Sequence, residues 1–133
     1  MIKPEQIAGA SETSQQQALF VWSSLNRDKY PQLKWLHAIP NANSHKQVAE
    51  GVRGGVADIF LPHSKYAGNM SGRIEYCGLY VEMKTEKRRK EKNGGLSEDQ
   101  IEFGKYALLA GYQWHCCYGW TEARDRILEY LNG

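Results

Sequence analysis

The chain has 133 residues, 41% of them hydrophobic and 24% charged, enough to bury a core as one domain over 1–133 and too evenly mixed for a disordered or fibrous protein. A formal net charge of only +2 excludes a polycation that coats nucleic acid indiscriminately. No apolar run reaches the ~20 residues of a membrane span, and Met1-Ile2-Lys3-Pro4-Glu5-Gln6 lacks the apolar stretch of a signal peptide, so a soluble cytoplasmic protein with no membrane partner is expected.

Residues 11–26 set Ala18, Leu19, Val21, Trp22 and Leu25 on one broad face behind Ser11, a capping residue type, and predict a helix. Alternating Leu33, Trp35, His37 and Ile39 predict a strand over 33–39 that Pro40 ends. Residues 41–55 are polar and glycine-rich, with a short helical turn expected over 46–50. A second strand, 56–61, carries Asp58, and 62–78 is a long polar connection holding Gly68, Asn69, Ser71 and Gly72. The run 78–84 predicts a third strand. After Asn93-Gly94-Gly95, a helix over 97–110 places Phe103, Tyr106, Ala107 and Ala110 at i, i+3, i+4 and i+7, and Gly111 is placed to end it. A fourth strand over 112–118 and a closing helix over 121–131 follow. Three successive strands suit an antiparallel meander, and the helix returning to a fourth strand is a crossover. The fold class expected is α/β, a mixed four-stranded sheet flanked by helices.

Glu82-Met83-Lys84, in the third strand, is the only (Asp/Glu)-x-Lys tripeptide in the chain. Side chains alternate across a strand, so Leu79, Val81 and Met83 are expected to face a core while Tyr80, Glu82 and Lys84 share the other face, Glu82 and Lys84 being about 7 Å apart. An acid and an amine so placed suit phosphodiester hydrolysis: the carboxylate holds a divalent cation and the ammonium orients water or neutralises developing charge. A chain of average composition contains roughly one such tripeptide by chance, so its weight comes from its surroundings. Directly after it, residues 84–92 hold six basic residues against two acidic ones. Read alone such a run is a solvated turn; beside a candidate metal site it is a phosphate-binding patch, formed by Lys87, Arg88, Arg89 and Lys90.

Four motifs then occur in order: Gly55-Val56-Ala57-Asp58-Ile59, Glu82-Met83-Lys84-Thr85, Gly95-Leu96-Ser97-Glu98-Asp99-Gln100 and Leu109-Ala110-Gly111-Tyr112. Together they resemble the PD-(D/E)xK nucleases and, more narrowly, the virus-type replication-repair nuclease (VRR-NUC) domain family. The resemblance runs from about Trp35 to the last helix, with a weaker match around Glu12. It implies a restriction-endonuclease-like core and a metal-dependent DNA nuclease of phage or mobile-element replication and repair, acting in the cytoplasm of a bacterium or infected host. In it Asp58 and Glu82 bind the metal, Lys84 is catalytic, Gln100 supports the site and Glu12 adds a carboxylate. The family usually has proline before the first aspartate, where this chain has Ala57; proline there would only fix local φ. The resemblance also suggests a homodimer, whose two-fold symmetry suits a four-way DNA junction. Alternatives are a restriction-type enzyme with a cognate site and a non-enzymatic nucleic-acid-binding module.

The residues can be weighed independently. Mg²⁺ keeps several waters and takes one or two protein carboxylates, a demand that Asp58 and Glu82 meet, helped by the Met83 carbonyl, with Mn²⁺ expected to substitute. Asp58 lies inside an apolar run, where a carboxylate needs a cation or hydrogen bonds. Lys84 either pairs with Glu82 or serves the chemistry. For Gln100 two readings stay open: Ser97-Glu98-Asp99-Gln100 is a capping box, and Gln100 also lies on the sheet-facing stripe of Phe103 and Ala107. Glu12 reads equally as a first-turn acid complementing the helix dipole, with Gln16 on the same face. Arg53-Gly54-Gly55 is either a phosphate approach, making Arg53 a DNA contact, or a flexible strand entry. Three cysteines without C-x-x-C spacing and four scattered histidines argue against disulfides and structural zinc, and the tryptophans read mostly as core.

Overall fold

The computed structural model describes residues 1–42, 44–68 and 72–133; Asn69 and Ser71 of the predicted polar connection lie outside them. In chain order the elements are α1 (Pro4–Ile7), α2 (Glu12–Leu25), a 3-10 turn (Pro31–Trp35), β1 (His37–Ala38), α3 (His45–Ala49), β2 (Ile59–Leu61), β3 (Lys65–Tyr66), β4 (Ile74–Tyr76) and β5 (Leu79–Lys84). Two 3-10 turns (Glu86–Lys90 and Lys92–Gly95), α4 (Glu98–Leu109), β6 (Gln113–Tyr118) and α5 (Trp120–Asn132) complete it. No described helix is long and apolar enough to cross a membrane.

The main sheet has the order β1-β2-β5-β6, antiparallel across the first two pairings and parallel between β5 and β6. This is the expected meander followed by a crossover through α4. β3 and β4 form a separate antiparallel hairpin inside what reads in sequence as a polar connection.

Register fixes which side chains share a face. Ile59 pairs with Val81, Leu61 with Leu79 and Met83 with Cys117, and all six are buried in one cluster with Leu19, Trp22, Ala123 and Ile127 of α2 and α5. On the opposite face Phe60 stacks on Tyr80 at 4.4 Å between centroids, and Phe103 of α4 meets Tyr80 edge-on at 5.0 Å. Gly104 lets α4 approach: a Cβ there would lie 2.9 Å from the Trp114 ring. β5 is thus covered on both faces: Tyr80 meets Phe103 and Glu82 meets Gln100 of α4, and Glu82 and Lys84 are buried rather than turned toward solvent.

Two strand expectations need correction. Over 33–39 only His37–Ala38 is strand: Pro31 opens a 3-10 turn, where its fixed φ fits, and the turn buries Leu33 while leaving Trp35 62% exposed. The alternation of apolar residues there comes from a turn and not from a pleat, and Trp35 is not core. β2 begins at Ile59, so Asp58 stands just before it; its carbonyl still accepts from Ile39 N–H at 2.7 Å. The helical expectations hold to within a residue or two, with Ser11 and Ser97 capping α2 and α4 and Gly111, at φ +96°, following α4. The cysteines are unpaired, Cys117 in the core and Cys77 exposed.

Candidate active site

The site lies at one end of the main sheet, where β5 and β6 finish and where α2, α4 and α5 begin. Gly119 N–H, at the head of α5, donates to the Lys84 carbonyl at 3.0 Å, and Trp120 N–H donates to Gln15 Oε1 of α2 at 2.8 Å. Helix N-termini carry partial positive charge, which suits an anionic substrate.

Asp58 and Glu82 meet at this end because β2 and β5 run antiparallel. Asp58 Oδ2 accepts from the Met83 N–H at 2.7 Å, and Oδ1 accepts from Asn41 Nδ2 at 3.4 Å. The carboxylate in an apolar run therefore finds its partners in the neighbouring strand and a loop. Glu82 is only 2% exposed, and its Oε1 is buried without a hydrogen-bond partner. Its carboxyl is pushed up to about 9 by burial first, then by the neighbouring Asp58 carboxylate, with a further push from Glu12. Lys84, 5% exposed with Nζ 3.9 Å from Glu82 Oε2, opposes this rise without overcoming it.

Gln100 fulfils both of its readings. Its Oε1 accepts from Ser97 N–H at 2.9 Å, completing the capping box, while its Nε2 donates to Glu82 Oε2 at 3.3 Å. One amide caps α4 with its oxygen and holds the candidate metal carboxylate with its nitrogen.

Glu12, at the start of α2, lies at this end too, with Oε1 buried and 3.7 Å from an Arg88 guanidinium nitrogen. A cleft of ≈ 680 Å³ opens beside the carboxylates, lined by Glu12, Gln16, Phe20, His37, Asp58 and Met83 among others. Among the described residues no three Asp, Glu, His or Cys side chains converge closely enough to cage an ion alone. A two-carboxylate site completed by water and substrate is the type of site that Mg²⁺ ordinarily occupies. The donor set fits such an ion: a buried carboxylate oxygen without a partner, next to a second carboxylate, is relieved by a divalent cation.

The basic residues are placed unequally. Arg88 donates to Glu91 at 3.0 Å and to the Gly95 carbonyl at 3.2 Å. Arg89 holds Glu86 through two bonds of 2.9 and 2.8 Å, pairs with Glu122, and lies over the Tyr118 ring at 4.4 Å. Lys87 and Lys90 are exposed and make no ion pair among the described residues. Arg53 donates to the carbonyls of Val48 and Val52 at the end of α3. The adjoining Gly55, at φ +83°, passes so near Asp99 that a Cβ would lie 2.8 Å from it, so this loop packs on the head of α4. Asn41 and Gln15 escaped sequence reasoning. Their contacts span 17 and 105 residues, and nothing local signals them.

No protein-family model matches the chain, and neither does any curated protein. A solved structure does: a chain named "VRR_NUC domain protein" superposes with a TM-score of 0.72 at 21% identity, covering 94% of this chain and 91% of that one. This chain has its fold. The mixed sheet with α4 on one face and α2 and α5 on the other is that of a VRR_NUC structure, in keeping with the PD-(D/E)xK-like core implied by the motifs.

Proposed function

We propose that the chain is a VRR-NUC nuclease that hydrolyses DNA phosphodiester bonds with a divalent cation, Mg²⁺ or in its place Mn²⁺, and with water as the nucleophile. The observation that carries this reading is the buried Glu82 carboxyl, one of whose oxygens lacks a partner, beside the half-buried Asp58 carboxylate and with the Lys84 ammonium 3.9 Å away. Asp58, Glu82 and the Met83 carbonyl would hold the cation, with Glu12 alongside. Bound there, it would polarise the phosphate and make water a stronger nucleophile at neutral pH.

The other steps belong to the protein. Met83 N–H and Asn41 fix the Asp58 carboxylate, and Gln100 fixes Glu82, so neither has to reorganise when substrate arrives. Lys84, buried in place, donates to the attacking water or to a non-bridging oxygen as charge builds on the phosphorus. Lys87 and Lys90 contribute sequence-independent phosphate contacts, with Arg88, Arg89 and Arg53 behind them. A homodimer would set two such centres about a two-fold axis and favour a substrate that is itself two-fold, a four-way junction.

Labelled duplex, flap, single-stranded and four-way-junction DNAs incubated with Mg²⁺, Mn²⁺ or Ca²⁺ test this. Cleavage is expected with Mg²⁺ and Mn²⁺, fastest on junctions, together with a light-scattering mass twice the 15.2 kDa of the chain. A monomer that prefers flaps would remove the junction reading and leave the nuclease. DNA binding without turnover on any substrate would favour the non-enzymatic module.

A further inference from the structure

One residue beyond Lys84 the chain turns to the other face of the sheet, and there Thr85 is 9% exposed with a hydroxyl that has no hydrogen-bond partner. Thr85 lines a second cleft, ≈ 430 Å³, separate from the one beside Asp58 and bounded by Gln15, Lys87, Trp120 and Thr121. The start of α5 forms one wall. This helix runs for 13 residues, and its N-cap, Gly119, supplies no side-chain cap. Trp120 N–H is taken by Gln15, but the N–H groups of Thr121 and Glu122 belong to the first turn, which has no intrahelical acceptors. Lys87 brings an exposed ammonium with no ion pair among the described residues, and Glu86, the carboxylate on the rim, is held by both N–H groups of Arg89.

A buried hydroxyl without a partner costs stability, and it gives up nothing by turning to a ligand. Thr85, Lys87 and Thr121 line one cleft, and a hydroxyl, an ammonium and helix N–H groups are the donors that an oxyanion takes. We infer that this cleft is a phosphate-binding subsite in which Thr85, the head of α5 and Lys87 receive a second phosphate of the strand whose scissile phosphate lies at Glu82 and Lys84. The anion chemistry stands on the cleft alone; that the phosphate belongs to a DNA strand rests on the nuclease reading. Lys84 and Thr85 are consecutive and face opposite ways, so the two phosphates would straddle the end of β5.

The test is titration calorimetry of inorganic phosphate, in EDTA, into the wild-type chain and into Thr85→Val and Lys87→Ala. Thr85→Val should weaken phosphate binding about tenfold, the size expected for one hydrogen bond to a charged group. Its Tm should be unchanged or higher, because valine removes an unpaired hydroxyl. Lys87→Ala should weaken binding a few-fold. Absent phosphate binding in wild type, equal affinity in wild type and Thr85→Val, or a lowered Tm in Thr85→Val would each overturn the subsite. Single-stranded oligonucleotides with and without a 5′-phosphate then separate the sources. A gain from the 5′-phosphate that vanishes in Thr85→Val marks a strand end, and an equal loss on both oligonucleotides marks an internal phosphate. Cleavage of DNA together with phosphate binding indifferent to Thr85 would sink the subsite and spare the nuclease. Thr85-dependent phosphate binding without cleavage would do the reverse.

Discussion

Two charged regions lie only a few residues apart in this chain, and they are built in opposite ways. At the end of β5, Glu82 and Lys84 are 2% and 5% exposed, one Glu82 oxygen has no partner, and the acid is held largely protonated by its surroundings. In the 3-10 turn that follows, Arg88 and Arg89 lie near the surface, Arg88 occupied by the Glu91 carboxylate and the Gly95 carbonyl and Arg89 by the Glu86 and Glu122 carboxylates. The difference teaches where to look for chemistry. Charges already satisfied within the fold are holding a loop; charges buried and left short of partners are waiting for something that the fold does not contain.

The strongest way to break this comparison is to remove the acids. Asp58→Ala or Glu82→Ala should lower cleavage by roughly 10³-fold or more, the effect of several kcal/mol of lost transition-state stabilisation, while the protein stays folded. Near-normal turnover in either folded variant would remove the metal site.

The same acid makes stability depend on pH. Folded Glu82 keeps its proton up to about pH 9, whereas the ordinary glutamate value is near 4.5. Between those values folding takes up a proton at Glu82, so this group's contribution to the stability of the metal-free protein is greatest below the ordinary carboxyl range and is lost as pH rises through the window. A divalent cation binding the ionised pair should therefore raise Tm more at pH 8 than at pH 5. Glu82→Gln should flatten the metal-free slope and abolish the metal effect. A metal-induced shift that is equal at both pH values, or that survives in Glu82→Gln, would place the ion elsewhere.

Much of this was legible from local pattern. The strand bearing Glu82 and Lys84, the capping box at Ser97 and the meander with its crossover follow from periodicity and capping residues, which act over a few positions. What escaped was non-local. No pattern along the chain places Met83 N–H on Asp58, nor Asn41 beside it. The run 33–39 misled because a proline-initiated turn produced the same alternation as a pleat. In the basic run, counting charges between 84 and 92 cannot distinguish a lysine without an ion pair from an arginine that holds Glu86 and Glu122.

Gln100 sharpens the comparison, because one side chain serves both the fold and the site. Ser97→Ala should cost about 0.5–2 kcal/mol of stability and leave activity per folded molecule unchanged. Gln100→Glu keeps the oxygen that caps α4 and loses the N–H that reaches Glu82. It should stay nearly as stable as wild type while losing activity at least tenfold. If instead it matches wild type in activity, Gln100 is a cap and nothing more.

The smallest effect should come from the basic turn, and there the comparison divides one segment into two pairs. Lys87 and Lys90 make no ion pair among the described residues, and Lys90 acts only as a more distant charge on Glu86, so Lys87→Ala with Lys90→Ala should leave Tm nearly unchanged. Each lost phosphate contact should lower the dependence of log K on log salt by about 0.9 on duplex DNA, for every sequence alike. Arg88 and Arg89 are committed to Glu91, Gly95, Glu86, Glu122 and the Tyr118 ring, which also tie the turn to β6 and α5. Arg88→Ala with Arg89→Ala should therefore lower Tm and change the salt slope by less than the lysine pair does. Thermal melts of both double variants, with DNA titrations at three salt concentrations, read the two quantities together. A salt slope that falls more on losing the arginines than on losing the lysines would mean that their internal bonds open to receive DNA, and that satisfaction within the fold does not by itself separate structure from function.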